Sequence, residues 1–379
     1  MRFHIISLPH TKTTTEYLSC AYTMKIFRFA QMMKSLGHTV YHYGGEGSNP
    51  DCTEHISIIS NEQREMWFGN NNWKKELYSI VFNPIYPYWI EANNNAIREI
   101  GKRIQKKDFI CVIGGYCQKP IADAFPNHIT VEFGIGYEGT FAKYRVFESY
   151  AWMHYLYGKQ GVNNGNYMDA VIPNYFDPAD FSLSDKENYF IFIGRLIQRK
   201  GASIAAEVCN KLGVPLIMAG QGVDRIEGNK IIAQEVTIEG PLIKHIGTVG
   251  VKERNELMSK AQAVFVQTQY IGPFEGVSVE AMLCGTPVIT TDWGCFAETV
   301  IDGVTGYRTR SFGETLWAAQ NVKNLDSQKI RDYALSRYSI DVVKYLYQDY
   351  FERLLTLWDK GWYSEEYDPT NKRVNGNWR

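Results

Sequence analysis

Two basic side chains flank a glycine turn in the middle of the chain, where they could bind phosphate. A predicted strand ends at Gly194, Arg195 follows directly, and Lys200 and Gly201 open a predicted helix. Gly194 allows close approach to the main chain, and a helix N-terminus offers unpaired N–H groups with a partial positive charge. Arg195 can donate two parallel hydrogen bonds to a phosphate, and Lys200 supplies a point charge. The turn predicts a diphosphate site, with solvent-facing cations as the alternative.

A second motif combines a loop rich in glycine and proline with a helix, predicted at 277–284, that carries one glutamate. The loop and the first helical residue are Gly272, Pro273, Phe274, Glu275, Gly276 and Val277. Amides at such a helix start can hold phosphate or sugar oxygens. Glu280 lies on the helix among apolar residues, and a carboxylate can bind the hydroxyls of a nucleotide ribose. We predict that role for Glu280, with an ordinary exposed charge as the alternative.

A third motif places another turn and another glutamate after the next strand. Gly294 forms the turn and Glu298 lies in the first turn of the following helix. The motif predicts a further contact with the ligand. The alternative is that Glu298 only complements the dipole of its own helix.

The elements that would position these motifs are short apolar strands alternating with helices. In the N-terminal half a helix is predicted at 21–36 and strands at 3–8, 39–43, 109–113 and 129–133. After residue 180 the pattern restarts, with strands at 189–193, 215–219, 263–267 and 287–290. Such alternation is typical of parallel sheets wrapped by helices. The fold class predicted is α/β, with two doubly wound Rossmann-like domains that face a cleft.

The second half resembles a known enzyme family. The motifs at 192–201, 216–220, 274–289 and 294–306 are similar in order and spacing to those of retaining glycosyltransferases of family 4, over most of 170–308. The resemblance implies the GT-B fold, with Arg195 and Lys200 on the donor diphosphate and Glu280 on the nucleotide ribose. It implies that the loop from Gly294 to Glu298 contacts the transferred sugar or phosphate.

The resemblance also implies a domain organisation. Residues 1–177 would form an acceptor-side domain, and residues 178–341 the domain that binds the nucleotide sugar, joined by a hinge rich in Pro, Asp and Ser. A helix at about 342–362 would cross back to the first domain. Residues 363–379 are expected to be a polar tail.

One departure from the family concerns its pair of glutamates, which are separated by seven residues. Gly272 stands at the position of the first of them, and the nearest carboxylate is Glu275. Our hypothesis is that Glu275 contacts the hydroxyls of the donor sugar. The alternative is that it points to solvent.

The N-terminal half resembles the family only in outline. His10 and Lys12 follow the first strand, where related enzymes have a glycine-rich loop beside the donor phosphates, so Lys12 is predicted to replace those amides. A polar surface loop is the alternative. Glu132 ends a strand where the family often places a histidine beside the sugar, and it is predicted to contact the sugar, against a structural role. The predicted catalytic residues are Glu275, Arg195, Lys200 and Glu132.

Composition limits the other classes of function. The 379 residues carry a net charge of −1, which gives no field for nucleic acid. The seven cysteines show no metal-ligand spacing, so a reduced, cytoplasmic protein is expected, and no apolar stretch is long enough to span a membrane. A basic cluster at 98–107 predicts either a solvated helix face or a peripheral contact with a membrane or a charged acceptor.

The function predicted is transfer of a sugar, with retention, from a nucleotide sugar to a glycan, lipid-linked or small-molecule acceptor. No cofactor is expected beyond a UDP- or GDP-linked donor, and no metal, because Arg195 and Lys200 would neutralise the diphosphate. The alternatives are a nucleotide-sugar epimerase of the same fold and a sugar-nucleotide-binding protein without catalysis. A nicotinamide dehydrogenase is disfavoured, because no Gly-x-Gly-x-x-Gly follows a strand.

Overall fold

A computed structural model describes residues 1–15, 20–69 and 80–358, which form two compact units. The first unit contains Met1–Glu148, Leu156–Tyr175 and the chain from Ile340 onwards. The second contains Ser149–Tyr155 and Phe176–Ser339. The tail predicted at 363–379 and the last residues of the predicted crossover helix lie outside the described residues.

A seven-stranded, all-parallel sheet forms the core of the first unit, in the order β3-β2-β1-β4-β5-β6-β7. Its strands are β1 (Arg2–Ile6), β2 (Thr39–Gly45), β3 (Glu54–Ile59), β4 (Phe109–Val112), β5 (Ile129–Ile135), β6 (Tyr144–Phe147) and β7 (Asp169–Val171). The strands predicted from sequence are β1, β2, β4 and β5, whose apolar runs are buried. Strands β3, β6 and β7 were not predicted.

Helices connect these strands. They are α1 (Ala21–Ser35), α2 (Asn61–Phe68), α3 (Pro87–Gly101), α4 (Lys119–Ala124) and α5 (Tyr150–Lys159). Helix α1 buries Ile26, Phe29 and Met33 at helical spacing. Helix α2 begins with a capping box, in which the Ser60 side chain accepts from the N–H of Gln63 and the Gln63 side chain accepts from the N–H of Ser60.

The second unit contains a six-stranded parallel sheet in the order β13-β9-β8-β14-β15-β16. Its strands are β8 (Phe190–Ile193), β9 (Leu216–Ala219), β13 (Ile243–His245), β14 (Val264–Val266), β15 (Val288–Thr291) and β16 (Gly306–Thr309). A separate antiparallel sheet, which was not predicted, contains β10 (Val223–Glu227), β11 (Lys230–Ala233) and β12 (Thr237–Glu239). The helices are α6 (Ala202–Leu212), α7 (Val251–Lys260), α8 (Gly276–Leu283), α9 (Phe296–Thr299), α10 (Phe312–Asn321) and α11 (Ser327–Tyr338). The prediction of two parallel-sheet, Rossmann-like domains is confirmed.

The last described helix, α12 (Ile340–Leu355), packs in the first unit. The ring of Phe351 lies 4.7 Å from that of Phe3, between ring centroids, and the ring of Tyr347 lies 5.0 Å from that of Phe29. These apolar side chains recur at helical spacing, so one face of α12 completes the first core.

The basic cluster at 98–107 is largely paired with carboxylates. Lys102 Nζ lies 2.6 Å from Glu99 Oε1, and Arg103 contacts Glu54 at 2.7 Å and Glu99 at 3.1 Å. This pairing favours the interpretation as a solvated helix face over that of a contact with a membrane or a charged acceptor. Within the described residues, no helix combines the length and the apolar character that crossing a membrane requires.

Candidate active site

Each parallel sheet reverses its strand order at one point, and predicted site residues follow the strands there. In the second unit β8 lies between β9 and β14, and Gly194 comes directly after β8. In the first unit β1 lies between β2 and β4, and the loop with His10 and Lys12 follows β1. Open α/β sheets bind ligands beyond the carboxyl ends of the strands at such a point.

Two glycines bring main chains together at the reversal point of the second unit. The N–H of Gly194 donates to the carbonyl of Ala219 at 2.9 Å. A Cβ atom on Gly220, whose φ is +145°, would lie 1.9 Å from the carbonyl oxygen of Gly194. Residue 220 must therefore be glycine. The Arg195 side chain next to this contact is exposed and accessible to an anion.

Lys200 lies at the end of a short 3-10 turn, Gln198–Lys200, just before α6. Its Nζ is 2.6 Å from Glu275 Oε2 and 5.1 Å from the centroid of the Tyr270 ring. Burial alone would lower the pKa of Lys200, but the charge of Glu275 and the contact with Tyr270 raise it above the usual value. The ammonium group is therefore charged and held in place before any ligand arrives.

Glu275 is the residue immediately before α8. Its φ of 54° and ψ of 62° are left-handed, and it is the only residue other than glycine with a positive φ among those described. Its carbonyl accepts from the N–H of Ser278 at 3.0 Å and from the Ser278 hydroxyl at 2.8 Å. Because 6% of its side chain is exposed and it pairs with Lys200, the alternative that it points to solvent is wrong.

The other residues of this loop and helix are fixed by packing. Phe274 is buried, and its ring lies 5.8 Å from the ring of Tyr338. Gly276 and Val277 begin α8 and are half-buried. The Glu280 carboxylate is nearly buried, and its Oε1 lies 2.9 Å from an Arg254 nitrogen on α7. Glu280 is therefore a paired, pre-positioned carboxylate, which disfavours an ordinary exposed charge.

The Glu298 carboxylate is bonded to the start of another helix. Its two oxygens accept hydrogen bonds from the N–H groups of Tyr150, at 2.9 Å, and Ala151, at 2.7 Å, at the start of α5. The carboxylate thus caps a helix 147 residues away in sequence rather than complementing its own. Both oxygens have partners, so this geometry does not support the contact between Glu298 and a donor. Gly294 forms a left-handed turn, with φ of 61°.

The loop after β1 in the first unit is buried. His10 is almost completely buried, which lowers its pKa to about 3 and keeps the ring neutral. The Thr13 hydroxyl is 2.8 Å from the Ser7 hydroxyl, which lies 2.6 Å from His42 Nε2. Lys12 remains half-buried. A neutral His10 brings no charge to a phosphate, and the buried loop differs from the polar surface loop considered as the alternative.

The Glu132 carboxylate is hydrogen-bonded to the loop that follows its own strand. Its Oε2 accepts from the N–H groups of Phe141 and Ala142, each at 2.8 Å, and its Oε1 accepts from the Tyr137 hydroxyl at 3.1 Å. The side chain is fully buried, and burial raises its pKa despite these hydrogen bonds. The carboxylate anchors the loop after β5, so the geometry does not support a contact between Glu132 and a sugar.

Two contacts of this site were missed in the sequence. Tyr270 lies against Lys200, and Arg254 pairs with Glu280. Arg254 occurs among other charged residues of α7, so no pattern distinguishes it. Tyr270 follows β14 at the reversal point, and this place in the topology could have indicated it. Along the described parts of the chain, no group of three or more His, Cys, Asp or Glu could hold a metal ion.

The second unit is similar in sequence to a known family of enzymes. Residues 176–331 match the family model described as "Glycosyl transferases group 1". The chain is 27% identical over 138 residues to an alpha-maltose-1-phosphate synthase of Mycobacterium tuberculosis, covering 34% of each protein. It is 30% identical over 144 residues to a D-inositol 3-phosphate glycosyltransferase of Mycobacterium marinum, covering 36% of this chain and 30% of the relative. The match thus spans about a third of the length of these curated relatives.

Solved structures match nearly the whole chain. A glycosyltransferase involved in avilamycin A biosynthesis has a TM-score of 0.64 at 18% identity, covering 94% of this chain and 98% of the other. The sucrose-phosphate synthase of Thermosynechococcus elongatus has a TM-score of 0.66 at 13% identity, covering 94% and 99%. The Anabaena protein HepE in complex with UDP-glucose has a TM-score of 0.62 at 15% identity, covering 94% and 100%.

These matches confirm the resemblance at one level. The fold is that of GT-B glycosyltransferases, and residues 176–331 are similar to the group 1 glycosyltransferases. Assignment to family 4 and to a retaining reaction stays a prediction.

Proposed function

We propose that the protein transfers a glycosyl unit from a nucleotide sugar to an acceptor, with the donor bound at the reversal point of the second unit. The observation that carries this proposal is the arrangement of Arg195, Lys200 and Glu275 beside the carboxyl end of β8. The curated relatives are named as an alpha-maltose-1-phosphate synthase, a glycogen synthase and a D-inositol 3-phosphate glycosyltransferase, and HepE was solved with UDP-glucose.

The roles of the residues follow from their charges. Arg195 and Lys200 bind the diphosphate and stabilise the negative charge that develops on it as the bond to the sugar breaks. Glu280, kept in place by Arg254, accepts hydrogen bonds from the nucleotide ribose. Glu275 contacts the sugar hydroxyls when the diphosphate takes over Lys200.

We also propose the metal requirement, the donor base, the stereochemistry, the acceptor and the compartment of the reaction. Two cations at the diphosphate make a metal unnecessary, so activity survives chelation by EDTA. The donor base is uracil or guanine, the anomeric configuration is retained, and the first unit takes a glycan, lipid-linked or small-molecule acceptor. The reaction takes place in the cytoplasm.

A panel of nucleotide sugars and their free nucleoside diphosphates tests the proposal, with thermal unfolding as the first measurement. A ligand that binds the folded protein at 100 times its Kd adds about 2.7 kcal/mol of stability, so one member should raise Tm. That donor is then incubated with candidate acceptors and analysed for new glycosidic linkages. No shift with any nucleotide would contradict the proposal. A shift without transfer or epimerisation would favour a binding protein, and release of an epimerised sugar would favour an epimerase.

A further inference from the structure

The residue types at positions 272 and 275 do not match their backbone angles: the glycine is at 272, but the left-handed conformation is at 275. Gly272 is not among the described glycines with positive φ, so its φ does not require glycine. Glu275 has left-handed angles, which glycine adopts at little cost and other residues adopt at a cost. The backbone of this turn would thus suit a side chain at 272 and glycine at 275.

Space explains the glycine at 272. A Cβ atom built on Gly272 would lie 2.4 Å from Glu275 Oε1, 2.9 Å from its Cγ and 3.0 Å from its Cδ. The Glu275 side chain therefore fills the volume into which a side chain at 272 would extend. The two positions share one volume.

Contacts on both sides hold the turn and the carboxylate. Lys200 Nζ binds Glu275 Oε2 at 2.6 Å. The carbonyl of Pro273 accepts from the Ser149 hydroxyl at 2.7 Å, and Phe274 is buried against Tyr338. Because the main chain is anchored between the two positions, a side chain at 272 would require the Glu275 side chain to move away from its contact with Lys200.

We propose that Glu275 supplies, from a left-handed position, the carboxylate that a residue at 272 would otherwise bring to Lys200, and that Gly272 is the positioning residue that leaves room for it. Two consequences follow. The residue types at 272 and 275 can be exchanged, and the site cannot hold glutamate at both. The role of this carboxylate toward the donor sugar rests on the proposed function, whereas the shared volume does not.

Four variants of the full chain test the proposal: Gly272→Ala, Gly272→Glu, Glu275→Gly and the double exchange Gly272→Glu with Glu275→Gly. Gly250→Ala is the matched control, because Gly250 also precedes a helix in the second unit and has open space around its Cβ position. Urea unfolding gives the stability of each protein. Titration with UDP and UDP-glucose, or with the pair that the panel selects, gives the affinity that the sugar adds.

We expect the double exchange to regain properties that the single variants lose. Gly272→Glu should lose stability and at least about tenfold in nucleotide affinity, because two carboxylates contest one volume and one lysine. Gly272→Ala should show a weaker loss of the same kind. Glu275→Gly should bind UDP more tightly than wild type, because Lys200 loses its competing carboxylate, but should lose the preference for UDP-glucose. The double exchange should regain that preference and be more stable than the sum of the single changes predicts.

The proposal of a shared volume would be overturned if the stability changes of the two single variants added up in the double exchange. It would also be overturned if Gly272→Glu behaved like wild type. Loss of the sugar preference in the double exchange, with coupled stabilities, would overturn the role of the carboxylate. If no protein in the set binds any nucleotide but the stabilities are coupled, the shared volume is upheld and the proposed function fails.

Discussion

The two units share a sheet topology but differ in how they use the polar residues on and after their strands. In the second unit Arg195 is exposed, and Lys200 is paired with Glu275 while part of its side chain stays accessible. In the first unit His10 and Glu132 are buried, and Glu132 is bonded to its own loop. The same topology can therefore leave charged side chains accessible or use polar groups to hold the main chain. Donor chemistry should therefore depend on the second unit and stability on the polar residues of the first.

The largest effect is expected from removal of α12. A chain ending at residue 339 should lose the folded first unit, because Phe3, Phe29 and Phe109 would lose the side chains of α12 that cover them. Aggregation and loss of the cooperative thermal transition of that unit are the expected results. A chain ending at residue 358 is the control. A soluble 339-residue chain with an unchanged melting curve would show that α12 adds nothing to the first core.

Comparing Lys200→Met with Lys12→Met tests the contrast between the units directly. Loss of a charge-assisted contact with diphosphate should weaken donor binding by about 1.5–3 kcal/mol in the Lys200 variant. The Lys12 variant should stay within about 0.5 kcal/mol, as expected for a change away from the ligand. Calorimetric titration with the donor measures both, and equal losses would extend the donor site to the first unit.

Two substitutions of Glu132 distinguish a structural role of its carboxylate from a catalytic one. Glu132→Ala should cost about 1–3 kcal/mol of stability, because the N–H groups of Phe141 and Ala142 lose their acceptor. Glu132→Gln can still accept from both amides, so it should fold and keep most of the transfer activity. A fall in kcat of about 100-fold or more in a folded Glu132→Gln protein would instead assign the carboxylate to catalysis.

The pH dependence of the Glu132→Gln protein gives a further check. Burial raises the pKa of Glu132, so the folded protein binds this proton more tightly than the unfolded chain. The stability contributed by the protonated group is present below the unfolded pKa of about 4.3 and is lost as pH rises through the folded pKa. The stability of the Gln variant relative to wild type should therefore rise with pH over that interval. A constant difference in the unfolding free energy would contradict the raised pKa.

The smallest effect is expected at Glu298. Glu298→Ala should lower stability by about 0.5–2 kcal/mol through loss of the cap on α5, with little change in nucleotide affinity. Glu280→Gln should instead weaken binding of the bare nucleoside diphosphate. Titration and urea unfolding of both variants separate the roles. Nucleotide binding weakened equally in both would return Glu298 to the donor site.

Features set by neighbouring residues could be predicted from the sequence, whereas features set by contacts between distant residues could not. The turn at Gly194 and the helix before Glu280 are visible in sequence, because glycine, proline and apolar spacing act over a few residues. The roles of Glu298 and Arg254 depend on partners brought close only by the fold, such as the start of α5. Strands β3, β6 and β7 carry polar or short sequences that gain their order from neighbouring strands.

Titration of UDP into wild type and Glu275→Gln tests most directly whether Glu275 holds Lys200 until a diphosphate replaces it. Removing the carboxylate charge leaves the ammonium free to bind phosphate and removes a repulsion. UDP should then bind about tenfold more tightly to the variant, a difference of about 1.4 kcal/mol. Transfer of the sugar should fall in the same protein. Unchanged or weaker UDP binding in Glu275→Gln would show that Lys200 does not pass from this carboxylate to the donor.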